Sequence, residues 1–412
     1  MEQTRIPVAP SQESDAPLSE TGSAVVDHFS LVHGGLIYRF EVALGVALPD
    51  RSGVTKRALL AILLTWLPLL VLSLAQGLAF GERVQVPFLY DFAANIRFLI
   101  ALPLLILAEP IIDPKITHAA RYFVTSRLIG AEELPKFEEQ LQEITKLRDA
   151  ILPTVLLILV AFLPSLWMKG TWQLGQALTN WHTVGSQSGN ALSLAGWWHA
   201  FISLPLFRLI LFRWLWLIVV WAFLLRRISR MGLRCIPSHP DRAAGLGFLT
   251  EVQSFFGLIA FSASVAVTGG LANAVAYRGQ TLSDLKIQMI TFCVLMVILL
   301  ASPLLVLTPR LLKAKHEAVF DYGALGTTYA QSFDTKWIHG NPPQREELLG
   351  TPDLQSLADL ANSFSVIDEM KAVLIDKKIL LRLAIPVVLP MIPLLVIGAP
   401  ADALIRVLKL LV

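Results

Sequence analysis

The chain is poor in charge and in cysteine, and each shortage excludes a class of protein. Only 16% of its 412 residues are charged, against about 25% in ordinary soluble domains. Its two cysteines cannot build a disulfide framework or a cysteine-only zinc site. The 34 basic and 31 acidic residues give a net charge of +3, too small an excess to indicate a nucleic-acid-binding protein.

Catalytic signatures are missing as well. The sequence contains no GxxxxGKS/T, GxGxxG, HExxH or GxSxG motif, and no spacing that suggests a nucleophile beside a base. We therefore expect neither enzyme activity nor a cofactor. What the chain has in abundance is apolar residues, which make up 55% of the total.

These apolar residues are gathered into runs of membrane-spanning length. At 1.5 Å per residue, seven stretches can cross a hydrocarbon layer of about 30 Å: residues 58–80, 92–112, 150–168, 205–225, 255–276, 288–309 and 379–399. The pattern predicts an all-α, polytopic integral membrane protein with about seven transmembrane helices.

The remaining segments divide the chain further. Residues 1–24 are rich in Ser, Pro, Glu and Thr, which predicts a disordered tail, and 25–57 predict an amphipathic juxtamembrane segment. Residues 58–309 hold the first six predicted spans, with a helical cytoplasmic loop at 113–149. We assign 310–378 to a cytoplasmic helical segment and 379–412 to the last span and an interfacial C-terminus.

Two amphipathic helices are predicted outside the spans. In the first, apolar residues recur at helical spacing over 134–147; the second starts at Thr351-Pro352 and continues to 367. We expect the two helices to pack on each other as a small cytoplasmic layer.

Basic residues indicate the orientation. With the N-terminus in the cytoplasm, the predicted inside segments hold 24 Lys and Arg residues and the outside segments hold 6. Because cytoplasmic loops carry an excess of Lys and Arg, the sequence predicts a cytoplasmic N-terminus.

Charged residues within predicted spans are candidates for function. Glu109 lies near one end of the second span, whereas Arg208 and Arg213 lie in the fourth. Arg213 is the deepest, and no carboxylate is predicted at a matching depth. It must therefore reach lipid phosphate, backbone carbonyls, water or a bound anion. Arg97 lies close enough to the outer end of its span to reach the interface.

A polar loop before the fifth span offers a second group of candidates. Asp241 is placed to cap the helix that follows, which is the structural interpretation. In the alternative interpretation, His239, Asp241, Arg242 and Glu251 gather around an ion or ligand at a cytoplasmic mouth. His239 and Asp241 supply at most two metal ligands, so we expect no metal site.

Three stretches resemble a family of uncharacterised polytopic membrane proteins of bacteria. They are Gly35-Leu-Ile-Tyr-Arg39, His239-Pro-Asp-Arg-Ala-Ala-Gly-Leu-Gly-Phe-Leu249 and Leu348-Leu-Gly-Thr-Pro-Asp-Leu-Gln-Ser-Leu-Ala-Asp-Leu-Ala-Asn-Ser-Phe364. The resemblance covers most of the chain after residue 30 and implies a bacterial inner membrane. It implies no activity, ligand or catalytic residue.

Two functional hypotheses remain open. The first is a channel or transporter for a small solute, with anions among the candidates. The second is a non-transporting scaffold or sensor whose cytoplasmic helices bind a protein partner. In both, the lipid bilayer is a partner and nucleic acid is not. A polar path across the spans favours the first hypothesis, and an exposed apolar groove on the cytoplasmic helices favours the second.

Overall fold

The computed structural model describes residues 24–35, 53–171, 179–186, 189–340 and 352–397. The predicted tail, most of the juxtamembrane segment, the Thr351 cap and the C-terminal stretch 401–412 lie outside these ranges. The described chain is almost entirely helical. Its strands, Thr183–Ser186 and Gly189–Leu192, pair as one antiparallel hairpin.

Six helical stretches among the described residues are long and apolar enough to cross a membrane, judged by length and composition. They are Val54–Ala75, Phe92–Thr125, Ala131–Ser165, Leu194–Ser229, Phe248–Arg278 and Leu282–Leu305, and we call them spans one to six. Each overlaps one of the first six predicted stretches, although span three also takes in residues 131–149, which were predicted outside the spans, and span four starts before its predicted start. The seventh stretch contains the helices Lys377–Val388 and Ile392–Ile397, joined by the turn Leu389–Met391, and is not among these six.

Several spans consist of shorter helices joined end to end. Span one contains Val54–Thr65 and Leu67–Ala75; span two contains Phe92–Ile96, the π-helical turn Arg97–Ala101, Leu102–Leu107 and Glu109–Thr125; span three contains Ala131–Glu133, Leu134–Arg148 and the start of Ile151–Thr171; span four contains Leu194–Trp198, the π-helical turn His199–Ser203 and Leu204–Ser229; span five contains Phe248–Phe255 and Gly257–Arg278. Proline causes both π-helical turns. Pro103 and Pro205 lack the N–H that residues Leu99 and Phe201, four positions earlier, would otherwise bind.

Span five is the centre of the bundle, with 72% of its apolar window buried, against 50% or less in the other spans. Its small side chains let neighbouring helices approach closely. The hydroxyl of Ser262 donates to the carbonyl of Ala101 at 2.6 Å, and that of Ser264 donates to the carbonyl of Val387 at 2.5 Å. The small side chains of span five therefore serve helix packing on more than one side of the helix.

The bundle has two distinct ends. At one, which we call the hairpin end, the hairpin and the turn Phe88–Tyr90 cover the tips of spans two, four and five. The opposite end carries the helices Leu134–Arg148, Thr308–Phe333, which ends in the π-helical turn Asp334–Ile338, and Pro352–Asp368.

The amphipathic helices form as predicted, but their packing differs from the prediction. Phe137, Leu141 and Ile144 are buried, and this helix packs against span four, whereas Pro352–Asp368 packs against Thr308–Phe333. The prediction that the two amphipathic helices pack on each other was therefore wrong. Helix Thr308–Phe333 directly continues the chain after span six and lies between the two in sequence, so it provides the nearer apolar surface.

Candidate functional site

Three charged side chains from spans one, two and four meet toward the end of the bundle opposite the hairpin. Arg57 donates to Glu109 at 2.5 Å, and Arg213 donates to the other oxygen of Glu109 at 2.9 Å. The exposed side-chain fraction is 7% for Arg57, 4% for Glu109 and 12% for Arg213. We call these residues the charged triad. Two guanidinium groups, which stay protonated in proteins, share one carboxylate.

The triad corrects the prediction that Arg213 has no carboxylate at its depth. Span four begins at Leu194, after the N-cap Ser193, whereas the sequence placed its start at 205. Arg213 thus lies roughly 28 Å along the helix from Leu194, and Glu109 lies roughly 26 Å from Phe92, at 1.5 Å per residue. Because the two spans start at the same end, the side chains meet at one level. The tryptophan-rich start of span four was mistaken for a loop.

A second carboxylate, Asp113, lies one helical turn beyond Glu109 and is fully buried. It holds the N-terminal segment, residues 24–35. Asp113 accepts hydrogen bonds from the hydroxyl of Ser30 at 2.8 Å and from the backbone N–H groups of Leu31 at 3.0 Å and Val32 at 3.1 Å. The imidazole Nδ1 of His33 lies 2.8 Å from the same carboxylate. The segment therefore closes over Asp113 by specific contacts.

Two arginines hold the N-terminal segment from its carbonyl side. Arg148 donates to the carbonyls of Ser30 at 2.6 Å and His33 at 2.8 Å, and Arg213 donates to the carbonyl of Val32 at 2.7 Å. Arg213 thus joins the segment to the charged triad. Sequence reasoning missed Arg57, Asp113 and the segment. The spacing of four between Glu109 and Asp113 was the available signal, because it places both carboxylates on one helix face.

A small cavity of about 20 Å³ adjoins Arg213, between the N-terminal segment and spans three and four. This volume accommodates about one water molecule.

Three basic side chains lie on spans two and four between the hairpin end and the charged triad. We call Arg97, His199 and Arg208 the basic cluster. The guanidinium of Arg97 lies 5.8 Å from the ring centroid of Phe207, the residue before Arg208, and the rings of Phe98, the residue after Arg97, and His199 lie 5.8 Å apart. Arg97 and His199 each lie five residues into their spans, and each opens a π-helical turn. Arg208 was a predicted candidate, whereas His199 was missed because the sequence placed it in a loop.

Asp91 is the carboxylate nearest to this cluster, and its oxygens are engaged elsewhere. It caps span two by accepting from the N–H of Ala94 at 3.0 Å. It also accepts from Asn273 at 2.7 Å and from the indole of Trp181 at 2.8 Å. Asp91 thereby ties spans two and five to the hairpin. Beside it, burial lowers the pKa of His182 to about 4, so this imidazole is neutral near pH 7.

The polar loop before span five is a structural turn. Asp241 accepts from the backbone N–H groups of Ala243 at 2.8 Å, Gly245 at 3.1 Å and Gly247 at 2.9 Å. All three precede Phe248, the first helical residue, so Asp241 closes the loop and does not cap the helix directly. Burial raises its pKa, but these hydrogen bonds and His239, 2.8 Å away, outweigh burial and lower it overall.

The other predicted members of this group are not gathered around one point. Arg242 pairs with Glu369 at 2.7 Å, and Glu251 pairs with Arg382 at 3.0 Å. Each side chain thus has its own partner from a distant part of the chain. Among the described residues, no group of three or more His, Cys, Asp or Glu side chains is placed to hold a metal ion.

The geometry therefore singles out spans two and four, which carry the charged triad toward the end opposite the hairpin and the basic cluster between the triad and the hairpin end. Comparison with protein-family models, curated proteins and solved structures finds no match to the chain.

Proposed function

We propose that this protein is a channel or transporter for a small anionic solute. The observation that supports the proposal is the row of charged side chains along spans two and four. On span two it runs from Arg97 past Glu109 to Asp113, roughly 24 Å at 1.5 Å per residue. On span four it contains Arg208 and Arg213. Charged residues at these depths are costly in a membrane and typically mark solute or ion pathways.

The sign of the charge favours an anion. The triad has two arginines for one carboxylate, and the basic cluster has two arginines without an ion-pair partner among the described residues. Arginine cannot shed its proton, so burial cannot neutralise these groups. A negatively charged solute moving along this row meets favourable potential at both levels, whereas a cation meets repulsion.

The described conformation has the features of a closed state. Glu109 is bound by Arg57 and Arg213, the N-terminal segment covers Asp113, and the cavity beside Arg213 holds about one water. Opening requires the pairs to separate and the segment to move. In this proposal an arriving anion competes with Glu109 for the guanidinium groups and so weakens the closed state.

Flux through proteoliposomes tests the proposal. The purified protein should conduct nitrate, acetate or chloride, and Arg213→Gln should reduce the flux strongly. Arg226→Gln is the matched control, because Arg226 is an exposed arginine on the same helix. Wild-type liposomes that pass none of these anions faster than protein-free liposomes would refute the proposal. Equal flux through Arg213→Gln and Arg226→Gln would show that Arg213 is not part of the anion path.

We propose that this protein lies in a bacterial inner membrane, as the resemblance of its three stretches implies, with the N-terminus in the cytoplasm. The orientation is supported by the 24-to-6 basic asymmetry. The hairpin end is then outside. We further propose that Lys377–Ile397 makes a seventh crossing. In a cysteine-free background, Glu82→Cys should react with an impermeant thiol reagent on intact cells, and Gln331→Cys should react only after lysis. The reverse labelling pattern would show that the protein has the opposite orientation in the membrane.

A second function, a scaffold that binds a protein partner, is favoured by a different observation. An open apolar groove of about 320 Å³ lies between the helices Thr308–Phe333 and Pro352–Asp368. It is lined by Tyr322, Gly323, Gly326, Leu357, Leu360, Ala361 and Phe364. If the protein is a scaffold, Phe364→Asp should abolish binding of the protein partner. Liposomes with the wild-type protein should then show no more flux than protein-free liposomes.

A further inference from the structure

We infer that the basic cluster of Arg97, His199 and Arg208 is a binding site for a small monovalent oxyanion such as nitrate or a short carboxylate. This inference rests on the proposed function and deepens it, because it names the chemical class of the solute. It also places the first binding step on the hairpin side of the charged triad.

The first argument is that the two arginines lack acidic partners. Arg97 donates no hydrogen bond to any other described residue, and its guanidinium lies over the ring of Phe207, 5.8 Å from the ring centroid. Arg208 reaches only neutral acceptors, the hydroxyl of Ser165 at 3.2 Å and the carbonyl of Ala161 at 3.4 Å. Two permanent cations in an apolar layer, held by neutral groups alone, leave their positive charge uncompensated.

The second argument is that Asp91 compensates at most one of the two arginine charges and pairs directly with neither. Its charge acts on Arg97, but its carboxylate accepts three hydrogen bonds from Ala94, Asn273 and Trp181. It forms no ion pair with either arginine. At neutral pH the charges of Arg97, Arg208 and Asp91 sum to one positive unit. One monovalent anion therefore balances the group, whereas a divalent anion would leave an excess of negative charge.

The third argument is a buried ring nitrogen that has no partner. His199 is 5% exposed, and its Nδ1 has no hydrogen-bond partner among the described residues. The ring is held by edge contacts with Phe98 at 5.8 Å and Trp181 at 5.4 Å, measured between ring centroids. A buried polar atom without a partner is destabilising. In the tautomer protonated at Nδ1, His199 donates to an anion held between the two arginines.

The fourth argument concerns backbone geometry. Arg97 and His199 each begin a π-helical turn, and Pro103 and Pro205 hold those turns open. π-helical turns are rare and occur frequently at functional sites. Two π-helical turns at the same level on neighbouring spans place the side chains of Arg97 and His199 at one depth.

The chemistry of the donors favours an oxyanion over a halide. A guanidinium presents its N–H groups as a planar fork that matches the two oxygens of a carboxylate or nitrate. A spherical halide uses the charge but not the fork. We therefore expect nitrate and acetate to bind more tightly than chloride.

Titration of the full-length protein in detergent tests the site without requiring transport. Sodium nitrate, sodium acetate and sodium chloride are titrated at constant ionic strength, and binding is followed by calorimetry and by the shift in Tm. We expect nitrate and acetate to bind, and Arg97→Gln or Arg208→Gln to weaken their binding about tenfold or more, the effect of losing one charge-assisted contact. Arg83→Gln, an exposed arginine at the same end, is the control and should bind like wild type.

Arg97→Lys tests the site if Arg97→Gln does not fold, because it keeps the positive charge and removes only the planar fork. It should lose affinity for nitrate and acetate while chloride binding stays close to wild type. The inference is wrong if the wild-type protein binds neither oxyanion, or if both Gln variants bind like Arg83→Gln. Binding that depends on Arg97 in a protein without flux would keep the site and refute transport. Flux without Arg97-dependent binding would support transport and refute the binding site.

Discussion

Replacing Glu109 by glutamine should be the most damaging single change in the spans. The substitution conserves size but leaves Arg57 and Arg213, with side chains 7% and 12% exposed, as buried cations without a counter-charge. Removing one partner of a buried ion pair costs about 3–5 kcal/mol, and Glu109 serves two pairs. We therefore expect a loss at or above the upper end of that range. Arg57→Gln should cost less, because Glu109 keeps Arg213.

The sign of the coupling energy between Glu109 and Arg213 tests this explanation. In the wild type, Arg213→Gln removes an ion pair and the hydrogen bond to the carbonyl of Val32 and should destabilise. In the Glu109→Gln background, the same substitution removes an unpaired buried cation, so it should restore stability by roughly 1–3 kcal/mol. SDS- or heat-induced unfolding in detergent of the four proteins in this cycle measures both effects. Arg226→Gln should be neutral in either background. Additive losses from Glu109→Gln and Arg213→Gln would refute the charged triad as the reason for these effects.

Three further predictions concern the loop and the hairpin end. Asp241→Ala removes the acceptor of three backbone N–H groups and should cost roughly 1–3 kcal/mol, and Asp241→Asn should cost less since its amide oxygen still accepts; equal Tm values for the two variants would contradict this. Because the folded pKa of Asp241 is lowered, its stabilising effect is complete above the ordinary carboxyl pKa of about 4 and is lost as the pH falls through the folded value. Asp241→Asn should therefore lose less stability on acidification than the wild type. If the two proteins have the same dependence of stability on pH, the ionised Asp241 is not the stabilising group. Trp181→Phe keeps the edge contact with Phe88 but loses the hydrogen bond to Asp91, so a Tm decrease corresponding to about 1 kcal/mol is expected; no change would show that this bond is not stabilising.

The sequence predicted the elements that depend on local pattern. Runs of apolar residues located six spans, and apolar spacing found the helix Leu134–Arg148, because burial of one face repeats with the helical period. Pro352 begins its helix as predicted, since the first turn needs no N–H from that residue.

Contacts between distant residues could not be predicted in the same way. The pairing of Arg213 with Glu109 depends on where two spans start, and a misplaced start of eleven residues moved Arg213 by three helical turns. The contact of Asp113 with Ser30 joins residues 83 positions apart, and nothing in the local pattern of either segment specifies the other. Glu251 and Arg242 were grouped by closeness in sequence, whereas their partners Arg382 and Glu369 lie in distant parts of the chain.

The attachment of the N-terminal segment has a consequence for the order of assembly. Ser30 and Val32 leave the ribosome before any of the six spans, yet Asp113 follows 83 residues after Ser30, and Arg213, the last of the segment's partners in the chain, follows 181 residues after Val32. At synthesis rates of about 5–20 residues per second, the segment waits roughly 10–40 seconds before that partner exists. A segment that is made before the spans is therefore among the last to reach its native contacts. Spans one to three are made before the contacts of this segment are complete.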